Sequence, residues 1–243
     1  MELAGKVVLV TGGGSGIGLA IALAFAREGC QVIICGRTEE TLRQAAATFD
    51  GHPPFAIRVC DVADRAAVDA MFAWLNHEVG PPDILVNSAG INVPNRAIDQ
   101  LRPEDWDRML AVNLTGAFNC IHAALPGMRQ KRSGLIVNIS SVAGKRAMKL
   151  GGAGYCASKF GLTALGMTVG LEERPHGIHV TNIYPGEVNT PILAQRPTPV
   201  PPERLANMLM PEDIAQVVIA IAKLPPRALV PELVITPLYQ EYA

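Results

Sequence analysis

Three side chains in the second half of the chain have the types and spacing to move a proton: Ser141, Tyr155 and Lys159. Tyr155 and Lys159 are four positions apart, so on a helix they share a face with adjacent side chains. A free tyrosine, with a pKa of about 10, is a poor proton shuttle at neutral pH. A neighbouring ammonium favours the phenolate and brings that value down toward the range of a working acid or base. Ser141 ends a strand-like run and can hydrogen-bond a carbonyl or alcohol oxygen while Tyr155 exchanges a proton with it. Asn113, inside Val112-Asn113-Leu114, can interrupt its helix and hold water for a proton path through Lys159. Each has a plainer reading alone: Tyr-x-x-x-Lys occurs in many helices, Ser140 competes with Ser141 as the active hydroxyl, and Asn113 reads as a polar residue inside a helix. Their joint spacing is what promotes them.

A second motif lies far upstream. Thr11-Gly12-Gly13-Gly14-Ser15-Gly16-Ile17-Gly18 follows the apolar run Val7–Val10, a buried parallel strand by pattern, and precedes the helix-like Leu19–Phe25. A glycine-rich strand-to-helix turn is where a dinucleotide pyrophosphate sits. Gly12 permits the tight turn, Gly16 and Gly18 clear side chains where backbone meets ligand and helix meets strand, and the helix N-terminus offers unpaired N–H groups.

The elements that position these motifs follow from pattern. Strand-like runs at Val7–Val10, Gln31–Cys35, Phe55–Cys60, Ile84–Val86, Gly134–Ile139, His179–Ile183 and Glu232–Ile235 alternate with helical segments, which implies βαβ units. The expected fold is α/β: one Rossmann-like, doubly wound parallel sheet of seven strands with helices on both faces, forming a single domain over residues 1–243. Ligand should bind past the strand carboxyl ends. The proline-rich Arg196–Pro202 cannot be regular helix or strand and precedes a helix-like Arg204–Met210. Residues 192–210 read as a lid or specificity loop over substrate, or else as a rigid surface connector.

Composition excludes several function classes. With 21 basic and 22 acidic residues the net charge is −1, so no field draws the chain onto nucleic acid or an anionic membrane. The five cysteines (Cys30, Cys35, Cys60, Cys120, Cys156) form no Cys-x-x-Cys pair and sit mostly in apolar runs, as reduced thiols do, which argues against a metal site. Met1–Lys6 enters the first strand with no signal-like segment, so the expected location is cytoplasmic.

These motifs together resemble the short-chain dehydrogenase/reductase superfamily over nearly the whole chain. Its Thr-Gly-x-x-x-Gly-x-Gly matches Thr11–Gly18, its Asn-x-Ala-Gly matches Asn87-Ser88-Ala89-Gly90, its Tyr-x-x-x-Lys matches Tyr155–Lys159, and its Pro-Gly-x-x-x-Thr matches Pro185–Thr190. The family more often has Asn where Ser88 stands, and many relatives carry an Asp-Gly-Gly that the last strand lacks. The resemblance implies a catalytic tetrad Asn113, Ser141, Tyr155 and Lys159. It further implies cofactor contacts from Gly12, Ser15, Gly16, Ile17, Gly18, Asp61, Val62, Asn87, Ala89, Gly90, Tyr155, Lys159, Pro185, Gly186, Val188 and Thr190, with no metal. Asp61 would accept from the adenine amino group, and Thr190 with backbone near Val188 would hold the nicotinamide carboxamide.

The position that selects between cofactors lies after the second strand. An acidic residue there accepts from the ribose 2′-hydroxyl of NAD. Here stand Gly36, Arg37 and Thr38, which suit a 2′-phosphate, with Ser15 as a further donor, so the cofactor is expected to be NADP(H) rather than NAD(H). Arg37 stacked on adenine without a phosphate is the other reading. The expected reaction is hydride transfer between nicotinamide and a carbonyl/secondary alcohol pair.

Substrate identity is less legible. Lys145, Arg146 and Lys149 lie between Ser141 and Tyr155 and either attract an anionic substrate or form a solvated loop face. Met148, Leu150, Ile192 and Leu193 offer an apolar wall, and Glu187 either meets a polar substrate group or caps a turn. The tail Pro237–Ala243 resembles family members that oxidise serine and 3-hydroxy acids with NADP, which favours small hydroxy- or keto-acid substrates. A 3-oxoacyl thioester on an acyl carrier protein is the alternative within enzymes, and an NADP-binding sensor or scaffold without turnover is the alternative from another class. The helices around Leu101–Met128 and Tyr155–Glu173 carry apolar and small residues on several faces, and the resemblance implies that such faces build a homotetramer, or a homodimer, unless the sheet alone covers them.

Overall fold

The computed structural model describes residues 2–241; Met1 and the last two residues of the tail, Tyr242 and Ala243, lie outside the described residues. The seven apolar runs are β1 (Val7–Thr11), β2 (Gln31–Gly36), β3 (Ala56–Val59), β4 (Ile84–Asn87), β5 (Gly134–Ile139), β6 (Ile178–Pro185) and β7 (Glu232–Ile235). They pair in parallel as one sheet of order β3-β2-β1-β4-β5-β6-β7. Around it stand α1 (Gly16–Arg27), α2 (Glu39–Ala46), α3 (Arg65–Glu78), α4 (Pro103–Leu110), α5 (Gly116–Lys131), α6 (Ala153–Glu173), α7 (Pro202–Leu205) and α8 (Pro211–Ala222). This is the Rossmann-like, doubly wound arrangement expected from the alternation of runs.

The central strands are mostly apolar because both faces of the sheet are covered there, whereas the edge strand β3 is only partly buried. Successive side chains on a strand point to opposite faces. Val8 and Val10 of β1 therefore join one core with Phe25 of α1 and Val218 of α8, while Val7 and Leu9 join the other with Phe72 and Leu75 of α3 and Ile121 of α5. The helical run Pro103–Lys131 is long and apolar enough by length and composition to cross a membrane, but half of its apolar window is buried, and Ile121, Ala124 and Met128 pack into the second core.

Where the strands end, polar side chains replace apolar ones and fix the register. Thr11, Asn87, Asn138 and Asn182 are neighbours across β1, β4, β5 and β6. Asn87 Nδ2 donates to Asn138 Oδ1 at 2.9 Å, and Asn138 Nδ2 donates to Asn182 Oδ1 at 3.0 Å, all three side chains being buried. Thr11 Oγ1 accepts from the backbone N–H groups of Ser88 and Ala89, each at 3.1 Å. Breaking such buried amide bonds is costly, so this row holds the strands in register near their ends, although Asn87 Oδ1 itself has no partner among the described residues.

The proline-rich segment departs from expectation in detail. The helix there is α7, which starts at Pro202 and ends at Leu205, rather than Arg204–Met210. Proline at a first helical position has its φ already set and needs no N–H partner. Beyond α7 the chain is held otherwise: Leu209 N donates to Glu187 O at 3.1 Å and Asn189 N to Leu209 O at 2.8 Å, a parallel bridge that excludes helix at that point.

Gly166 of α6 packs directly on the asparagine row. A Cβ there would lie 2.1 Å from Asn182 Oδ1 and 2.6 Å from Asn138 Nδ2. Neither amide can retreat without breaking a buried hydrogen bond. We expect Gly166→Ala to destabilise the fold by about 2–3 kcal/mol despite alanine's better helix propensity, measured as a lowered urea midpoint at unchanged m-value. A neutral or stabilising substitution would show that the row is not rigid.

Candidate active site

The order of connections reverses between β1 and β4, and the cleft expected at such a switch point is present. It has a volume of about 1010 Å³ and runs from the glycine turn past the ends of β2 and β3 to Ser141, Tyr155 and residues 185–196. Of the sequence-predicted site residues, all but two line it: Asn87 and Asn113 do not. Asn87 spends its amide on the asparagine row instead, so its side chain serves the cleft by fixing the strand that carries Ser88, Ala89 and Gly90.

At one end the donor set fits a dinucleotide. Gly12 has φ +65°, and a Cβ on it would lie 2.9 Å from the Ala89 backbone; a Cβ on Gly18 would lie 2.4 Å from Gly12 O. The turn thus closes only with glycine at both places. The helix α1 that follows has no acidic residue in its first turn, and its N-cap Ser15 makes no side-chain cap bond, which leaves the N-terminal donors available to an anion. Arg37 is exposed and makes no ion pair or side-chain hydrogen bond among the described residues, and Thr38 begins α2 without a side-chain cap. Asp61 lines the cleft with one carboxylate oxygen taken by Ala63 N at 3.0 Å.

The proton-transfer residues meet at the other end. Lys159 is buried and its Nζ donates to Ile139 O at the end of β5, 2.9 Å away. Nζ stands 5.6 Å from the centre of the Tyr155 ring. Burial pushes the ammonium down from 10.5 to about 8. Asn113 lies in a π-helical turn, Ala111–Thr115, so the helix is interrupted where the sequence suggested. Its amide is committed within the protein: Oδ1 accepts from Ile91 N at 2.8 Å, while Nδ2 donates to Ile91 O and to Ser158 Oγ, each at 3.0 Å. A Cβ on Gly90 would lie 3.5 Å from Lys159 Nζ and 3.6 Å from Asn113 Oδ1, so the backbone there runs close to both.

One expectation is corrected. The sequence suggests that Lys159 brings the Tyr155 phenol down, yet its net shift is upward. Burial is the largest cause; a hydrogen bond with Ser141 and the charge of Arg96 oppose it without overcoming it. The same burial that raises the phenol also weakens the ammonium meant to lower it.

The comparison with known proteins now decides the family. The short chain dehydrogenase family matches residues 6–200. The chain belongs to the short-chain dehydrogenase/reductase superfamily. It is 35% identical over 231 residues to the 3-oxoacyl-[acyl-carrier-protein] reductase FabG of Thermotoga maritima, covering 91% of this chain and 92% of that one. It is 38% identical over 198 residues to the D-beta-hydroxybutyrate dehydrogenase of Cupriavidus necator, covering 80% and 75%. The closed form of serine dehydrogenase complexed with NADP+ superposes with a TM-score of 0.88 at 30% identity, covering 98% of this chain and 97% of that one. Similar solved structures include complexes with NADP and with NADH. This short-chain dehydrogenase is therefore an oxidoreductase acting on hydroxy or keto groups of small molecules with a nicotinamide cofactor.

The substrate end of this dehydrogenase shows what sequence reasoning missed. Met148, Leu150, Ile192 and Leu193 form part of the wall, as their types suggested, but Lys145, Arg146 and Lys149 do not line the cleft. Lys145 pairs with Glu232 at 2.7 Å and lies over the Tyr184 ring. Glu187 lines the cleft with its carboxylate engaged within the protein: it accepts from Arg196 Nη2 at 2.8 Å, Arg204 Nε at 2.9 Å and the Tyr239 hydroxyl at 2.5 Å. Burial works against its charge, but these three bonds hold its carboxyl below the usual range. Arg96 lines this end, as do Arg196 and Arg204, and Asn92 is on the same wall. Neither Arg96 nor Asn92 falls in a recognisable motif, and only the path of the chain after Gly90 brings them there.

The position of Lys159 has a consequence for stability in the cofactor-free protein. The unfolded chain keeps its lysine protonated up to about 10.5, whereas the folded chain releases that proton near 8. Below 8 folding carries the full penalty of burying the ammonium, and between 8 and 10.5 that penalty is relieved. Relative to Lys159→Met, the native sequence should gain stability across this window, at up to about 1.4 kcal/mol per pH unit. Urea melts of both proteins from pH 7 to 10.5 check this, and a constant difference would mean the amine is not desolvated.

Proposed function

We propose that this dehydrogenase is NADP(H)-dependent and interconverts a small keto acid and its hydroxy acid. The observation that carries the reading is a single cleft lined both by Ser141, Tyr155 and Lys159 and by the glycine turn with the unpartnered Arg37. Bound nicotinamide supplies or accepts the hydride. Ser141 donates a hydrogen bond to the reacting oxygen, which positions it and stabilises the negative charge that develops there. Tyr155 gives that oxygen a proton in reduction and takes one in oxidation. Lys159 stands between Tyr155 and the backbone of β5, where its charge and Asn113's hold on Ile91 and Ser158 keep the group in order. Arg37, Thr38 and Ser15 would hold the 2′-phosphate, and Gly12, Gly16, Ile17 and Gly18 the pyrophosphate.

Support for an acid substrate comes from relatives named for hydroxybutyrate and serine. The second reading, a 3-oxoacyl thioester, rests on the similarity to FabG. In this reading of the chain as one domain, residues 192–210 close over the substrate, and the exposed Phe118, Phe160, Met167 and Leu171 of α5 and α6 support assembly into a homotetramer.

The test is a paired titration with NADPH and NADH followed by a carbonyl panel. NADPH should bind at least about tenfold more tightly, and Arg37→Asp should remove that preference. Tyr155→Phe should lower kcat about 10²- to 10⁴-fold while cofactor binding persists. Equal affinity for NADH would overturn the reading of Arg37; cofactor binding with no turnover over the whole panel would favour the sensor or scaffold.

A further inference from the structure

Arg96 is a buried cation without a counter-ion. It is 8% exposed and sits in the loop between β4 and α4. Its guanidinium donates only to backbone carbonyls: Nε to Val93 O at 2.8 Å, Nη1 to Leu150 O at 3.0 Å, and Nη2 to Gln195 O. Among the described residues no carboxylate pairs with it. The acids that line the cleft are engaged or distant: Glu187 is held by Arg196 and Arg204, Asp105 by Arg102 at 2.9 and 3.1 Å, and Asp61 lies after β3 near the adenine end. Arg196 is near enough for its like charge, after burial itself, to disfavour the Arg96 cation.

Such an arrangement is costly if nothing else enters it. Burying a charge without a partner is strongly unfavourable, and neutral carbonyls offset only part of that cost. A guanidinium carries five N–H donors. Three are used, which leaves one on each terminal nitrogen. The stem is also fixed in place: Gly152, the residue that caps α6, has φ +77°, and a Cβ on it would lie 2.7 Å from both Cβ and O of Arg96. Arg96 is thus clamped against the start of the helix that presents Tyr155 three residues later, near enough for its charge to oppose in small part the upward shift that burial imposes on the phenol.

We propose that Arg96 is the residue that selects the substrate's anionic end, receiving the carboxylate of a short keto or hydroxy acid on its two unused N–H groups while the carbonyl or alcohol meets Ser141 and Tyr155. This rests on the proposed oxidoreductase reading and narrows it to substrates whose carboxylate lies a few bonds from the reacting carbon. Asn92, whose Nδ2 donates to Gly151 O at 3.1 Å and which is 9% exposed, lines the same wall. Arg196, tethered through Glu187, adds positive potential over the site, and the Arg96 bond to Gln195 joins the anion-binding group to residues 192–210. Carboxylate binding here therefore bears directly on the segment that covers the cleft.

Two measurements on the full-length protein test this. The first compares kcat/KM with NADPH for a short 3-oxo acid and its methyl ester. The native protein should favour the acid, and Arg96→Met should reduce the acid-to-ester ratio by about 10- to 100-fold, the range of a charge-assisted pair. Arg96→Lys should recover part of the ratio, since it restores the charge without the three-carbonyl fork. If Arg96 serves only to tie the loops together, both substrates fall alike, Lys behaves as Met, and the proposal is overturned. The second measures binding of malonate, which cannot be reduced, to the NADP+-saturated protein by calorimetry, with malonamide as the neutral control. Binding of malonate alone, lost in Arg96→Met and retained in Tyr155→Phe, supports the anion site even if no carbonyl in a panel is turned over, whereas turnover of neutral ketones with no malonate binding rejects the anion site and leaves the oxidoreductase reading standing.

Discussion

The buried row of Thr11, Asn87, Asn138 and Asn182 is the constraint on which the rest of this site depends. Four parallel strands are held in register near their carboxyl ends because Asn87, Asn138 and Asn182 hydrogen-bond in series across the sheet, with Thr11 beside them on β1. A register slip on any of them would leave amides unpaired in the interior, which is more costly than the loss of an apolar contact. Everything chemical follows within a few residues of that level. The glycine turn leaves β1, the Ala89-Gly90 turn leaves β4, Ser141 follows β5, and Pro185 ends β6. Thr11 completes the alignment by taking the N–H groups of Ser88 and Ala89 onto its hydroxyl.

Helix α6 is fitted to the same row. Gly166 lets it approach the amides of Asn138 and Asn182 more closely than any other residue would permit. That contact sets the depth of the helix, and two turns earlier the depth decides whether Lys159 reaches Ile139 O. The lysine is consequently a strut between helix and sheet as well as a charge. Its two functions oppose each other energetically: burial makes the strut dry and geometrically fixed, and also weakens the positive charge that would ease ionisation of Tyr155.

How much of this was legible in the sequence depends on the kind of signal. The sheet was readable because strands buried on both faces are mostly apolar in short runs, and all seven runs became strands. The glycine turn, Ser141, Tyr155 and Lys159 were readable because backbone sterics and helical spacing restrict what can stand there. Asn87 and Asn113 were found by the same motifs, but whether an amide turns into the cleft or into the protein depends on partners from other strands, which spacing does not encode. Lys145 shows the limit from the other side. Its place in sequence left a pocket cation and a solvated loop face both open, and Glu232 and Tyr184, brought there by β7 and β6, draw it away from the cleft. Arg96 was invisible for the same reason, since its carbonyl partners come from Val93, Leu150 and Gln195.

The distribution of charge at the substrate end follows from these long-range partners. Glu187 directly follows Pro185-Gly186 at the end of β6, and it gathers Arg196, Arg204 and the Tyr239 hydroxyl onto one carboxylate. Its backbone N–H is taken by Gln240 Oε1 at 2.9 Å. One side chain therefore joins the segment at the end of β6, residues 192–210 and the C-terminal tail. Two arginines on one glutamate leave a surplus of positive charge, and Arg96, bonded to Gln195 O next to Arg196, adds to it with no acid paired to it among the described residues. A pocket in which burial and like charge both act against a cation is stable only as far as the carbonyls around it compensate, and an entering anion would relieve the remainder. Under the proposal, the guanidinium that would receive the anion is the same one that holds Gln195, so a substitution that removes its charge removes that tether as well.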